Sequence, residues 1–280
     1  MDIAVDNKPL TFVHFSDLHY CEGDSSDKLV NRFMDRTGLT PGEQIELSIR
    51  NILAATTGVD FFVISGDLIQ KNSGAAEYAQ VQQILSTELG DTPYFVALGN
   101  HDNDNFWVGF SDEKQGEGSY YYTHDFKGLR IIGLDSRGGD YETGRFEQAQ
   151  LEWLASELAT PAPRGTILTL HHTPHVSGEV EFLTYQCENP QDLLDVISGT
   201  DVRALFCGHT HKHFLSTFGT VPCYTVESVA FGIEFFDDNM VVDNYTGYNH
   251  CVLDGDSLQV EHVVIEPPNR IAETIYYSEF

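Results

Sequence analysis

One stretch of this chain reads Tyr94-Phe95-Val96-Ala97-Leu98-Gly99-Asn100-His101-Asp102, an apolar run that ends abruptly in polar residues. The pattern recurs where apolar runs at 11–16, 61–65 and 202–207 lead into Asp17-Leu18-His19, Gly66-Asp67 and Gly208-His209-Thr210-His211. Short runs rich in Val, Ile and Phe and bounded by Gly or Asp are typical of strands covered on both faces. In open α/β sheets, ligands bind beyond the carboxyl ends of such strands. The sequence therefore predicts a site assembled from strand ends.

The remaining chain alternates strand and helix patterns. Helices are predicted over residues 41–57, 75–89, 146–159 and 191–198. Further strands are predicted at 166–170, as a hairpin at 119–126 and 129–135, and as antiparallel strands over 214–265. Residues 21–38 are predicted to be irregular. This order indicates an α/β fold with two mixed sheets covered by helices, in a single domain over 1–280 whose β-rich part, 214–280, shapes the pocket.

Composition limits the class of protein. The chain has 280 residues, of which 41% are hydrophobic, enough for a large core. No apolar run approaches the roughly 18 residues that a membrane helix needs. The start of the chain has neither a basic nor an apolar signal region, so the sequence predicts a cytoplasmic protein. Five scattered cysteines without a Cys-x-x-Cys pair argue against a disulfide framework and a structural zinc site.

The net charge of −28 comes from 43 acidic and 15 basic residues. Such a charge repels nucleic acid polymers and anionic membranes. A small phosphate ester is not excluded, because bound divalent cations reverse the local field. An acidic surface suited to solubility or high salt is the simplest interpretation of the charge, and a homo-oligomer stays open.

The polar residue types at the strand ends are those of metal ligands. In Asp17-x-His19 and His209-x-His211 the two side chains are two positions apart, so an extended backbone would place them on one face. Carboxylate, imidazole and amide ligands together suit Mn, Fe, Co or Zn. Their number exceeds the three or four ligands of a single catalytic zinc, so two divalent or mixed-valence ions are predicted, with Asp67 as the bridge.

These motifs in this order, over residues 11–213, resemble the calcineurin-like metallophosphoesterases. Three further stretches resemble class III cyclic-nucleotide phosphodiesterases and related glycerophosphodiesterases; they span residues 157–163, 170–174 and 199–204. The resemblance implies a four-layer α-β-β-α sandwich, the metallophosphoesterase fold. By the family pattern, one ion would be held by Asp17, His19, Asp67 and His211, and the other by Asp67, Asn100, His171 and His209. The pattern also implies that His101 contacts the substrate phosphate or protonates the leaving oxygen, and that Asp102 orients His101.

Other residues leave alternatives open. His171 is favoured over His172 because it ends its apolar run directly, and His14 is predicted to be a core histidine. Either a pocket or a surface location is compatible with His213 and His250. Cys21, two residues after His19, is either a plain thiol near the site or one that tunes the metal.

The function predicted is hydrolysis of small phosphodiesters, with 3′,5′-cyclic nucleotides as one candidate substrate. No Arg follows Gly66-Asp67, where protein phosphatases of the superfamily carry one, but Arg137 or Lys212 could still reach a phosphate. The alternatives are a phosphomonoesterase, a nucleotide pyrophosphohydrolase and, less favoured, a non-catalytic protein-binding scaffold. The pocket is predicted to be walled by residues 103–110, 173–179 and 227–250.

Overall fold

Two sheets packed face to face form the centre of the protein, as seen in a computed structural model that describes residues 8–22, 28–110, 118–139, 142–174, 187–236, 238–267 and 269–276. The first sheet has the strand order β13-β12-β1-β2-β3. Its strands are β1 (Leu10–Phe15), β2 (Phe61–Ile64), β3 (Tyr94–Val96), β12 (Thr246–Asp254) and β13 (Ser257–Ile265). β1, β2 and β3 run parallel, whereas β12 is antiparallel to both β1 and β13. The sheet is therefore mixed, as predicted.

The second sheet is also mixed and has the order β4-β5-β6-β7-β9-β8. Its strands are β4 (Tyr122–Phe126), β5 (Leu129–Gly133), β6 (Thr166–Thr169), β7 (Val202–Phe206), β8 (Leu215–Phe218) and β9 (Val221–Tyr224). The predicted hairpin is confirmed: β4 pairs with β5 across a turn in which Lys127 and Gly128 both have positive φ. The carboxyl ends of β1, β2, β3, β6 and β7 carry the predicted ligand motifs.

Six helices occur in the described part of the chain: α1 (Lys28–Thr37), α2 (Pro41–Ala55), α3 (Ala75–Leu89), α4 (Phe106–Gly109), α5 (Gln148–Leu158) and α6 (Pro190–Ile197). The prediction that residues 21–38 are irregular was wrong, because α1 occupies most of this segment. α1 buries Val30 and packs Met34 against a small apolar cluster that includes Phe231. That partner is about 200 positions further along the chain, so the local pattern could not reveal the buried face. None of the described helices has the length and apolarity needed to cross a membrane.

Successive side chains of a strand point to opposite faces of its sheet, and this divides the core into layers. In β1, Phe12 belongs to the cluster between the two sheets, which also contains Phe61 and Phe206. Val13 points the other way, into a cluster with Ile49 of α2 and other helix residues. A third cluster packs α5 and α6 on the outer face of the second sheet. The predicted four-layer α-β-β-α sandwich is confirmed.

A third, three-stranded antiparallel sheet lies beside α1. It consists of β10 (Gly232–Phe235), β11 (Asn239–Asp243) and β14 (Ala272–Tyr276) in the order β10-β11-β14. Individual strands were predicted up to residue 265, so β14 lies beyond them but within residues 214–280, the part predicted to be β-rich. Val242 and Ile275 from this sheet pack with Val30 and Phe231, so the sheet and α1 share one cluster. This cluster brings the C-terminal part of the chain next to the strand ends that carry the ligand motifs.

Candidate metal centre

The strand ends converge on one buried group of carboxylates and imidazoles. Ligand atoms of Asp17, His19 and His211 lie within 4.8 Å of one another, and so do those of Asp17, Asp67 and His171. A third set with the same spacing contains His19, Asp67 and His101. Five strand ends, those of β1, β2, β3, β6 and β7, thus contribute to the same centre.

The backbone at this centre is not extended. φ is +58° at Asp17, +47° at His19, +70° at His209 and +50° at His211. The assumption of extended backbone in the two spaced pairs was therefore wrong. Asp17 and His19 converge because both have left-handed backbone, which non-glycine residues rarely adopt and which costs about 1–3 kcal/mol each. Asp67, with φ of +51°, shares this conformation.

His19 and His211 face each other through their Nε2 atoms, 2.9 Å apart. The Nδ1 atom of His19 lies 2.8 Å from Gln70 Oε1, and that of His211 lies 2.8 Å from the carbonyl oxygen of Phe231. A carbonyl oxygen only accepts hydrogen bonds, so each Nδ1 carries a proton and donates it. The two Nε2 lone pairs then point at each other beside Asp17, with Asp17 Oδ1 3.4 Å from His211 Nε2. A cation held by these atoms would relieve their repulsion.

The same arrangement recurs at His171. Its Nδ1 donates to the carbonyl oxygen of Ser65 at 2.7 Å, which leaves Nε2 directed at Asn100 Oδ1, 3.0 Å away, and at Asp67 Oδ2, 3.2 Å away. Asp67 Oδ2 is also 3.6 Å from His19 Nε2. Asp67 therefore lies between the two groups of ligands, the position that a bridging carboxylate occupies.

His209 and His172 are neighbours of this centre. The ring of His209 lies 5.0 Å from that of His171 and 4.6 Å from that of His172, while its backbone N–H donates to Asp17. His172 lies behind His209 and has its Nδ1 2.8 Å from Ser136 Oγ. His171, and not His172, contacts Asp67 and Asn100.

His101 and Asp102 occupy the turn after β3. The backbone N–H of Lys71 donates to His101 Nδ1 at 3.1 Å, so the ring proton of a neutral His101 lies on Nε2. The Asp102 carboxylate accepts hydrogen bonds from the backbone of Gly99 at 2.8 Å, from Leu68 at 3.2 Å and from the Tyr78 hydroxyl at 2.9 Å. Through these bonds Asp102 joins the two ligand-bearing turns and places His101 by way of the backbone.

Burial and charge act in opposite directions on the pKa values of this centre. Burial lowers the pKa of His101 to about 3, and the charge of Asp67 compensates only in part. Burial also opposes protonation of His171, but Asp67, Asp17 and the bond to Ser65 outweigh it and raise the pKa of His171 to about 9. Positive charge is thus favoured beside Asp67, whether it comes from a proton or from a metal ion that displaces it.

Two glycines are required by close backbone approach. A Cβ on Gly99 would collide with Asp67 Oδ1, and one on Gly208 would collide with Ser16 Oγ and lie 2.6 Å from Asp17 Oδ2. At both positions the absence of a side chain lets the backbone approach the ligand carboxylates closely.

The other candidates from the sequence lie outside the ligand group. His14 is buried between the sheets and contacts Ser65 and Asn249, which fits a core histidine. The ring of His213 stacks on that of His262, 3.9 Å away. His250 is half-buried on β12. Cys21 is buried in the apolar cluster with Phe231, as expected for a plain thiol.

The two basic side chains that could reach a phosphate, Arg137 and Lys212, are each paired with a carboxylate. Arg137 pairs with Asp135 at 2.7 Å and also donates to the carbonyl oxygen of Asp102 at 3.4 Å. Lys212 pairs with Glu234 at 2.8 Å. Of the predicted pocket walls, residues 175–179 and 237 lie outside the described residues.

The sequence did not reveal the carbonyl partners of the ligand histidines. Gln70, Ser65 and Phe231 belong to no motif, and two of the three act through backbone oxygens, which every residue type has. The donor set itself fits a dinuclear site: buried imidazoles with fixed Nδ1 protons, two carboxylates and an amide oxygen, which suit borderline first-row metals.

Two relatives match much of the chain. A protein of Rhodococcus erythropolis, named a probable cyclic nucleotide phosphodiesterase, is 30% identical over 78% of this chain and 70% of its own length. A cAMP/cGMP dual specificity phosphodiesterase of Mycobacterium tuberculosis is 37% identical over 59% of this chain and 55% of its own length. The chain thus spans little more than half the length of the second relative.

Solved structures show the same fold at low identity. A dimetal phosphatase from Danio rerio superposes with a TM-score of 0.55 at 16% identity, covering 83% of this chain and 95% of that one. A purple acid phosphatase from yellow lupin superposes with a TM-score of 0.61 at 18% identity, covering 91% of this chain and 51% of that one. Residues 10–213 match the calcineurin-like phosphoesterase family, to which this chain belongs.

Proposed function

We propose that this protein is a dinuclear-metal phosphodiesterase that hydrolyses small phosphodiesters, with 3′,5′-cyclic nucleotides as the preferred class. The observation that carries the proposal is the pair of Nε2 atoms of His19 and His211, which face each other at 2.9 Å beside Asp17. The names of the two relatives support a phosphodiester, and cyclic nucleotides in particular, as the substrate.

The ligands divide into two sets that share Asp67. Asp17, His19, Asp67 and His211 would hold one ion; Asp67, Asn100, His171 and His209 would hold the other. Two ions bound there would lower the pKa of water and neutralise phosphoryl oxygens during in-line attack. Mn, Fe, Zn and Co all suit these ligands.

His101 would donate a hydrogen bond to the substrate. Because Lys71 holds Nδ1, the donor is Nε2–H, on a ring that lies 4.6 Å from the ring of His19. A hydrogen bond to a phosphoryl oxygen or to the leaving oxygen strengthens as negative charge develops there. Asp102 keeps the His101 turn in place and does not contact the substrate.

The charges around the centre favour a diester. A monoester carries two negative charges and a diester one. Arg137 is paired with Asp135 and Lys212 with Glu234, so part of the positive charge that would bind the additional charge of a monoester is already neutralised. This favours a monoanionic substrate over the phosphomonoesterase alternative. The seven residues predicted as ligands all follow strand ends of the two sheets, which favours an enzyme over a non-catalytic scaffold.

A substrate panel tests the proposal. With Mn²⁺ present, kcat/KM would be measured for cyclic AMP, cyclic GMP, a glycerophosphodiester, a nitrophenyl diester, a nitrophenyl monoester and a nucleotide pyrophosphate. We expect a cyclic nucleotide to give the highest kcat/KM and His171→Ala to abolish its hydrolysis. The control is His124→Ala, a substitution of an exposed histidine on β4, which should leave the activity unchanged. A monoester or the pyrophosphate preferred over every diester would contradict the proposal.

A further inference from the structure

Residues Ser228–Phe231 form a buried strap along the end of β1. Ser228 forms an isolated parallel bridge with Ser16, and the backbone N–H of Val229 donates to the carbonyl oxygen of Ser16 at 3.0 Å. Ser228 and Val229 have no exposed surface, and Phe231 is 4% exposed. The strap lies beyond residues 10–213, so the family match does not include it.

The Ser228 hydroxyl holds the backbone of Asp17. Its oxygen donates to the carbonyl oxygen of Asp17 at 2.7 Å and accepts the N–H groups of Ala230 at 2.9 Å and Phe231 at 3.1 Å. A hydroxyl has a single proton to donate, and Ser228 donates it to Asp17, whose φ is +58°. The bond therefore stabilises the left-handed peptide that directs the Asp17 carboxylate into the centre.

Phe231 holds the two histidines of the same group. Its carbonyl oxygen accepts the Nδ1 proton of His211 at 2.8 Å, which leaves Nε2 as the ligand atom. Its ring lies 5.1 Å from that of His211 and 5.3 Å from that of His19, so it restricts the planes of both imidazoles.

The strap thus contacts Asp17, His19 and His211, three of the four ligands proposed for one ion. The fourth, the shared Asp67, accepts the backbone N–H of His101 through Oδ1 at 2.8 Å, and His171 of the other ion donates to Ser65. We propose that Ser228–Phe231 is a positioning element for one metal ion only, the ion of Asp17, His19 and His211. The inference rests on the two-ion centre of the proposed function. It predicts that substitutions in the strap weaken the binding of the ion at Asp17, His19 and His211 more than the binding of the other ion.

Groups that orient metal ligands typically change metal affinity about 10–100-fold when removed. We therefore expect Ser228→Ala and Phe231→Leu to weaken one binding step by about this factor and to leave the other unchanged. Phe218→Leu is the matched control, because Phe218 is also 4% exposed but packs in the cluster between the second sheet and its helices.

Native mass spectrometry at set free Mn²⁺ concentrations counts the ions per chain. We expect the strap variants to retain one ion at concentrations where the unaltered chain and Phe218→Leu hold two. Adding His171→Ala to Ser228→Ala should remove the remaining ion, whereas adding His211→Ala should not. Circular dichroism confirms folding, and Ser228→Ala, the smaller change, decides the question if Phe231→Leu fails to fold.

Two results would overturn the inference. Equal weakening of both ions, or weakening no greater than in Phe218→Leu, would reduce the strap to a packing element. A single ion in the unaltered chain would refute the two-ion centre itself, an outcome that is visible before any substitution is made.

Discussion

At the scale of single residues, ligand geometry depends on backbone carbonyls as much as on the ligands. His171 and His211 each donate Nδ1–H to a carbonyl oxygen, of Ser65 and Phe231 respectively, and so present Nε2 to the centre. Motifs in the sequence identify the imidazoles but not these partners. The left-handed backbone at five predicted ligands was equally hidden, since Asp and His adopt it only when the surrounding structure imposes it.

His101 is expected to act on substrate and not on metal. His101→Ala should lower kcat about 10²–10⁴-fold, because it removes a donor that strengthens in the transition state, while the chain retains two Mn²⁺ ions by native mass spectrometry. The His124→Ala variant controls for loss of an exposed imidazole. Loss of an ion would instead show that His101 is a metal ligand. This outcome is tested because ligand atoms of His101, His19 and Asp67 lie within 4.8 Å of one another.

His14 gives a pH dependence of stability. Asn249 donates to His14 Nδ1 at 3.1 Å, and burial lowers the pKa of His14 to about 3 from 6.5 in the unfolded chain. The unfolded state then binds a proton that the folded state does not, so stability falls as pH drops below about 6.5, by up to about 1.4 kcal/mol per pH unit.

Chemical denaturation of the metal-free protein between pH 7 and pH 5 measures this slope. His14→Gln should show a slope smaller by about that amount, since the other histidines contribute alike to both proteins. Equal slopes in the two proteins would show that His14 takes up its proton in the folded state.

At the scale of elements, α2 carries its own start signal. α2 begins at Pro41 with Thr40 as N-cap: Thr40 Oγ1 accepts from Glu43 N–H, and the Glu43 carboxylate accepts from Thr40 N–H at 2.9 Å. α1 and β14 depend on the cluster that Val30 and Ile275 form with Phe231. Contacts between distant segments decide them, which is why the local pattern did not.

Thr40→Ala removes this capping box. We expect the free energy of unfolding to fall by about 1 kcal/mol, because the backbone N–H of Glu43 loses its acceptor. Urea denaturation measures the change, with the exposed Thr57→Ala, just beyond α2, as the control. An effect no larger than that of the control would show that the cap does not stabilise the helix.

At the scale of the whole molecule, the two sheets gather ligands from both halves of the chain. Asp17, Asp67 and Asn100 follow strands of the first sheet, whereas His171, His209 and His211 follow strands of the second. The order of motifs predicted this convergence, because strands ending at one edge bring their ends together. The predicted set of ligands stays a prediction until the ions themselves are located.

Locating the ions is the most direct test of the account. Crystals of the protein loaded with Mn²⁺ would be measured at the manganese absorption edge, and the anomalous difference map would show each ion. We predict two peaks about 3.5–4 Å apart with the Asp67 carboxylate between them. A single peak, or two peaks with Asp67 contacting neither, would contradict the dinuclear centre.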